Sequence, residues 1–61
     1  MLTEKEIEVL RYLQKGLNQM EIAKKLKITQ PAVSKFYSSG IKKIKEAKET
    51  LDLAKEIGIK Q

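Results

Sequence analysis

The residue pattern predicts an all-α fold: three helices forming one small unit, the last leading into a long C-terminal helix that pairs with a second copy. Two observations predict it. An apolar residue followed by a capping residue opens a helical stripe at Leu2-Thr3, again at Leu17-Asn18, and a third time at Ile28-Thr29. Beyond Ser39, apolar residues return every three or four positions out to Ile57, which is the spacing of one helix face.

The first helix is expected over residues 3–15, as a scaffold for the other two. Thr3 can accept from the Glu6 N–H while Glu6 reaches back to the N–H of Thr3, a capping box. Leu2 and Ile7 flank that cap as a hydrophobic staple, and Glu4, Glu6 and Glu8 put negative charge where the helix dipole favours it. Ile7, Leu10 and Leu13 form the apolar stripe, widened by Val9 and Tyr12. Gly16 is the expected left-handed stop.

The second helix repeats this grammar. Asn18 caps, Glu21 closes the box, and Leu17 staples against Ile22. Ile22, Ala23 and Leu26 point inward, Lys24 and Lys25 outward. A corner comes next, at Lys27 and Ile28.

The third start keeps the staple and the cap, at Ile28 and Thr29, but has no acidic partner. Pro31 sits in the first turn, where its missing N–H costs nothing. Val33, Phe36 and Tyr37 are expected to point to the core. Gln30, Pro31, Ser34, Lys35 and Ser38 then fall on the opposite, exposed face. Two short helices joined by a tight turn, with small Ala23 where they cross, match the helix-turn-helix, whose second helix enters the major groove of duplex DNA. Here that helix would span about 29–39. Many such motifs carry glycine where Lys27 stands, because the residue takes φ > 0; lysine there costs roughly 1 kcal/mol. The missing glutamate suits a helix end that meets phosphates.

Charge placement agrees with this reading. The 61 residues carry a net charge of +5, but residues 24–48 alone hold eight lysines against one glutamate. The positive charge thus lies on the turn, the second motif helix and its continuation, where a phosphate backbone would run. Phosphate contacts are expected from Asn18, Gln19, Lys24, Lys25, Lys27, Thr29, Lys42 and Lys43, and base contacts from Gln30, Pro31, Ser34, Lys35 and Ser38. Their amide, hydroxyl and ammonium groups suit the donor and acceptor patterns of base edges.

The remainder reads as one continuing helix ended by Gly58, with Ile59 to Gln61 fraying. Gly40 interrupts the pattern at a cost of about 1 kcal/mol against alanine, yet no capping residue restarts a helix after it. Lys45–Glu49 and Lys48–Asp52 are expected i,i+4 charge pairs. Residues 1–39 then form a DNA-binding domain, and residues 40–61 a helix for dimerisation. Ile44, Ala47, Leu51, Ala54 and Ile57 are the expected dimer interface, at near-heptad spacing. Such a homodimer would offer two recognition helices to half-sites about one DNA turn apart.

The stretches LTEKEIEVL, KGL and EIAKKLKITQPAVS resemble the tetrahelical helix-turn-helix domains of the LuxR type and the fourth region of bacterial sigma factors. They are most similar to the DNA-binding domain of archaeal Tfx-type transcriptional regulators, which also continue into a long charged helix as IKKIKEAKETLDLAKEIG does here. The resemblance spans about residues 2–53. It implies transcriptional regulation by DNA binding, with residues 30, 31, 34, 35 and 38 at contact positions. RNA polymerase is a further expected partner. Members of those families carry sensory or additional regions beyond the stretch that resembles them. A minimal constitutive binder or a domain of a longer protein would both fit.

Other classes fare worse. Histidine and cysteine are absent, which removes the commonest general base, thiolate metal sites and disulfides. No enzyme, metal or cofactor is expected. No apolar run approaches the roughly 20 residues of a membrane span, so a cytoplasmic, nucleoid-associated protein is expected. The rival reading is a helix-turn-helix-like module that binds protein, or itself, without DNA.

Overall fold

A computed structural model describes residues 1–58 of the chain. It contains three helices: α1 (Glu4–Gln14), α2 (Gln19–Leu26) and α3 (Gln30–Glu56). Each begins as its local chemistry dictates. The Thr3 and Asn18 boxes are both closed: Glu6 Oε1 accepts from the Thr3 N–H at 2.7 Å, and Glu21 Oε1 from the Asn18 N–H at 3.0 Å. Thr29 accepts from the Ala32 N–H at 3.3 Å and has no reciprocal partner.

The turns are also as expected. Gly16 has φ 94° and ends α1. Lys27 takes φ 55°, the left-handed conformation usually left to glycine. Behind it, the Ile28 N–H donates to the Ala23 carbonyl at 3.0 Å and closes the corner between α2 and α3.

Val9, Ile22 and Val33, one from each helix, are fully buried and meet with Ala23 at the centre. Tyr12, Leu13, Leu17, Leu26, Ile28 and Phe36 pack around them, half-buried. Two expected core residues lie at the surface instead. Ile7 is 36% exposed and Tyr37 39%. In α1 the inward stripe is rotated by one position: Glu6 and Val9 face α3, and Ile7 falls to its edge. In α3, Val33, Phe36 and Gly40 carry the inward face, which leaves Tyr37 beside it.

α3 runs straight through the expected 39/40 boundary. Gly40 is buried because α1 crosses there: a Cβ at Gly40 would stand 3.1 Å from Leu10 Cδ1 and 3.6 Å from Glu6 Cβ. The two helices are antiparallel, with Met1 and Leu2 reaching Ile44 and Ala47. The 45 Å long axis of the molecule is therefore essentially α3, about 40 Å at 1.5 Å per residue. Its last ten residues extend about 15 Å past the start of α1. Gly58, with φ 77°, lies just past the helix end. The fraying expected of Ile59 to Gln61 lies outside the described residues.

Candidate nucleic-acid interface

The surface opposite the core face of α3 is open. Gln30, Pro31, Ser34, Lys35 and Ser38 are all exposed. They form two adjoining i,i+4 rows, Gln30-Ser34-Ser38 and Pro31-Lys35, and exposed Lys42 extends the surface by another turn. The first turn of α3 has no acidic residue, so the positive end of the helix dipole and the lysines act together on an approaching anion. The corner helps to present this face. Thr29 and Lys27, both exposed, precede it immediately.

The expected phosphate contacts divide into groups. Gln19, Lys24, Lys25, Lys27 and Lys42 have exposed side chains. Lys25 and Lys15 each hold an ammonium 5.8–5.9 Å from the centre of the Tyr12 ring, within cation–π range. Asn18 and Thr29 are exposed, but their side-chain oxygens already accept from helix N–H groups. Lys43 is committed elsewhere: its Nζ lies 2.8 Å from Glu6 Oε1.

That pairing was not visible in the sequence. Glu6, 2% exposed, is a buried charged side chain, and its carboxylate is fully partnered. Oε1 accepts from Thr3 N–H and Lys43 Nζ, and Oε2 accepts from the Ser39 hydroxyl. The Lys43 ammonium, followed by the Ser39 and Thr3 donors, holds its pKa at about 2, below the ordinary 4.5. The signal for it was a doubling. Ser38-Ser39 and Lys42-Lys43 place one i,i+4 row outward and an identical row inward.

The expected surface charge pairs do not form. Among the described residues, ion pairs within 4.0 Å are Lys5–Glu8 and Lys43–Glu6, while Lys45–Glu49 and Lys48–Asp52 stay apart. Exposed ion pairs gain little against the entropy of ordering two long side chains. Of the expected dimer residues, Ile44, Ala47, Leu51 and Ile57 are exposed, and Ala54 is covered. Among the described residues there is no cluster of metal-ligating side chains, and no helix is long and apolar enough to cross a membrane.

A two-helix corner presenting an acid-free, lysine-flanked helix is a helix-turn-helix of the kind used by DNA-binding regulators. The chain belongs to the luxR family of bacterial regulatory proteins, whose family model matches residues 1–58. It is 48% identical over 59 residues to a transcriptional regulatory protein of Pyrococcus horikoshii and 44% identical to one of Pyrococcus abyssi, in each case across 97% of this chain. LnrK, a transcriptional regulatory protein of Bacillus subtilis, is 54% identical over 43 residues, 70% of this chain and 20% of its own. The chain spans 41% of the length of the two Pyrococcus relatives. No solved structure matches it significantly.

Proposed function

We propose that this chain binds duplex DNA sequence-specifically and regulates transcription, with the N-terminal third of α3 in the major groove. One observation carries the reading: the polar face of Gln30, Ser34, Lys35 and Ser38 stands free, opposite the packed face of the same helix. Lys24, Lys25, Lys27 and Lys42 flank it for the phosphates, and a bacterial or archaeal nucleoid is the matching environment. Contact with RNA polymerase would follow from binding beside a promoter.

A homodimer is the second part of the proposal. Ile44, Leu51 and Ile57 are 45%, 42% and 63% exposed on a helix that outruns its own core, and their near-heptad spacing suits another helix of the same kind. At about 100° per residue, that stripe lies about 160° from the recognition face. A pair closed on it turns its two recognition faces away from each other, so each chain reads its own short site.

Selection of bound duplexes from a random DNA pool tests this. A single short motif is expected, with log affinity falling against log salt at a slope of about −4 to −5 for some five phosphates. No enrichment at low salt would end the DNA reading. A palindrome with half-sites one turn apart would show a dimer closed elsewhere than on the stripe.

A further inference from the structure

Resting on that DNA-binding reading, we propose that Glu6 is a positioning residue for recognition: through Ser39 and Lys43 it sets the axial register and the rotation of α3 against the rest of the domain.

The apolar repeat of α3 does little by itself to fix this setting. The side of α3 that bears Val33, Phe36 and Gly40 continues into exposed Ile44, Ala47 and Leu51, a small or apolar residue about once per turn. Sliding α3 by one turn, about 5.4 Å, would offer α1 another surface of similar kind. Two features break that degeneracy where the helices cross. Gly40 is a notch that admits Leu10 at one position along α3. Glu6 supplies directional bonds on either side of the notch, to Ser39 before it and Lys43 after it. Buried polar groups in otherwise apolar helix contacts are best known for selecting register, since a slipped arrangement leaves them unpaired.

Rotation is set by the same bonds. Ser39 and Lys43 are i,i+4 neighbours, so one carboxylate bridging both holds an edge of the helix along its length. The residue preceding each of them, Ser38 and Lys42, belongs to the exposed surface. Drawing one Ser/Lys row onto Glu6 keeps the other turned out by about 100°. The bond network also withdraws Lys43 from the phosphate-contacting set.

The test compares Glu6→Gln and Ser39→Ala with the unaltered chain. Glutamine can keep the capping box, and Ser39→Ala leaves the box and the ion pair intact. Affinity is measured for the best duplex from the selection and for a scrambled duplex of equal composition. The temperature is one at which circular dichroism shows each variant fully helical. Glu6→Gln is expected to lower the ratio of specific to scrambled affinity about tenfold, the size of one lost base contact. Affinity for the scrambled duplex should hold, or its salt slope steepen by up to about 0.9 as Lys43 is released. Ser39→Ala should move the ratio in the same direction by a smaller factor.

A residue that only stabilises the fold would leave the ratio unchanged in folded protein, and that result in Glu6→Gln overturns the proposal. If Glu6→Gln does not fold, Ser39→Ala decides alone by the same ratio. An unaltered chain that binds neither duplex fails the DNA reading itself, a result distinct from a variant that loses selectivity only.

Discussion

The two halves of α3 are made of similar residues and live in different surroundings. From Gln30 to Ala47 the helix has a back: Val33 is fully buried, Phe36 is packed on the core, Gly40 is pressed against Leu10, and Ser39 and Lys43 are bonded to Glu6. From Lys48 to Glu56 the side chains are exposed except for Ala54, and Leu51 and Leu53 are 42% and 57% exposed. A helix of this length is not stabilised uniformly. The proximal half is held by tertiary contacts, and the distal half by its own backbone bonds and whatever it meets. A recognition surface needs the first condition, because its side chains must be presented at a fixed angle.

The largest effect should come from hollowing the proximal half. Val33→Ala removes two buried methyl groups at the meeting point of all three helices, at roughly 2–3 kcal/mol. A single core of this size rarely supplies more than about 3–5 kcal/mol. Thermal unfolding followed by circular dichroism should therefore show Val33→Ala largely unfolded at 37 °C. A small shift in melting temperature would mean that the core is not the main support of α3. Next in size is Gly40→Ile, whose side chain must enter space held by Leu10 and Glu6. Helix propensity improves, but overpacking of about 1–3 kcal/mol should dominate. Denaturant melts would contradict the crossing geometry if this variant were stabilised.

How far the sequence could be read tracks the same division between local and distant causes. Thr3, Asn18 and Thr29 were legible as caps because capping is settled within four residues of chain. Lys27 was legible as a left-handed corner for the same reason. The exposed face of Gln30, Ser34 and Lys35 could be placed because it is the complement of Val33 and Phe36. Glu6 was not legible in full: its local role in the cap is genuine, and its partners lie 33 and 37 residues away. The same contact hid the true stripe of α1. With Glu6 read only as part of the cap, Ile7 heads the inward stripe, whereas the helix is turned so that Glu6 and Val9 face α3. Gly40 suggested weakness for a related reason, since only the partner helix reveals why a Cβ is excluded.

Acid should act on the proximal half through Glu6. Its folded pKa of about 2 lies below the ordinary 4.5, so the unfolded chain binds this proton more readily than the folded one. The stabilisation is fully present above about pH 4.5 and is lost as pH falls toward 2. Glu6→Gln should flatten the melting-temperature profile across that window and leave it parallel to the parent above pH 5. An unchanged acid limb would mean that another carboxylate governs it. At the corner, Lys27→Gly should relieve the left-handed strain and stabilise by about 0.5–1 kcal/mol, partly offset by the freer unfolded chain. Loss of stability on this change would show that the Lys27 side chain contributes something its backbone does not.

The smallest expected effect on stability is the most informative about the distal half. Leu51→Lys replaces a side chain that is 42% exposed, so the isolated chain should melt within about 0.5 kcal/mol of the parent. Its mass in solution should respond differently. If the stripe of Ile44, Leu51 and Ile57 joins two chains, a lysine at its centre must be desolvated in both copies at once. Sedimentation should then show a dimer for the parent at concentrations where the variant is a monomer. DNA affinity per chain should hardly change, because Leu51 lies about three and a half turns beyond Ser38 and on the other side of the helix. A parent that sediments as a monomer at millimolar concentration would make the distal half a spacer, with its apolar face serving no second copy. A variant that loses helicity along with mass would show that pairing is what keeps that half helical.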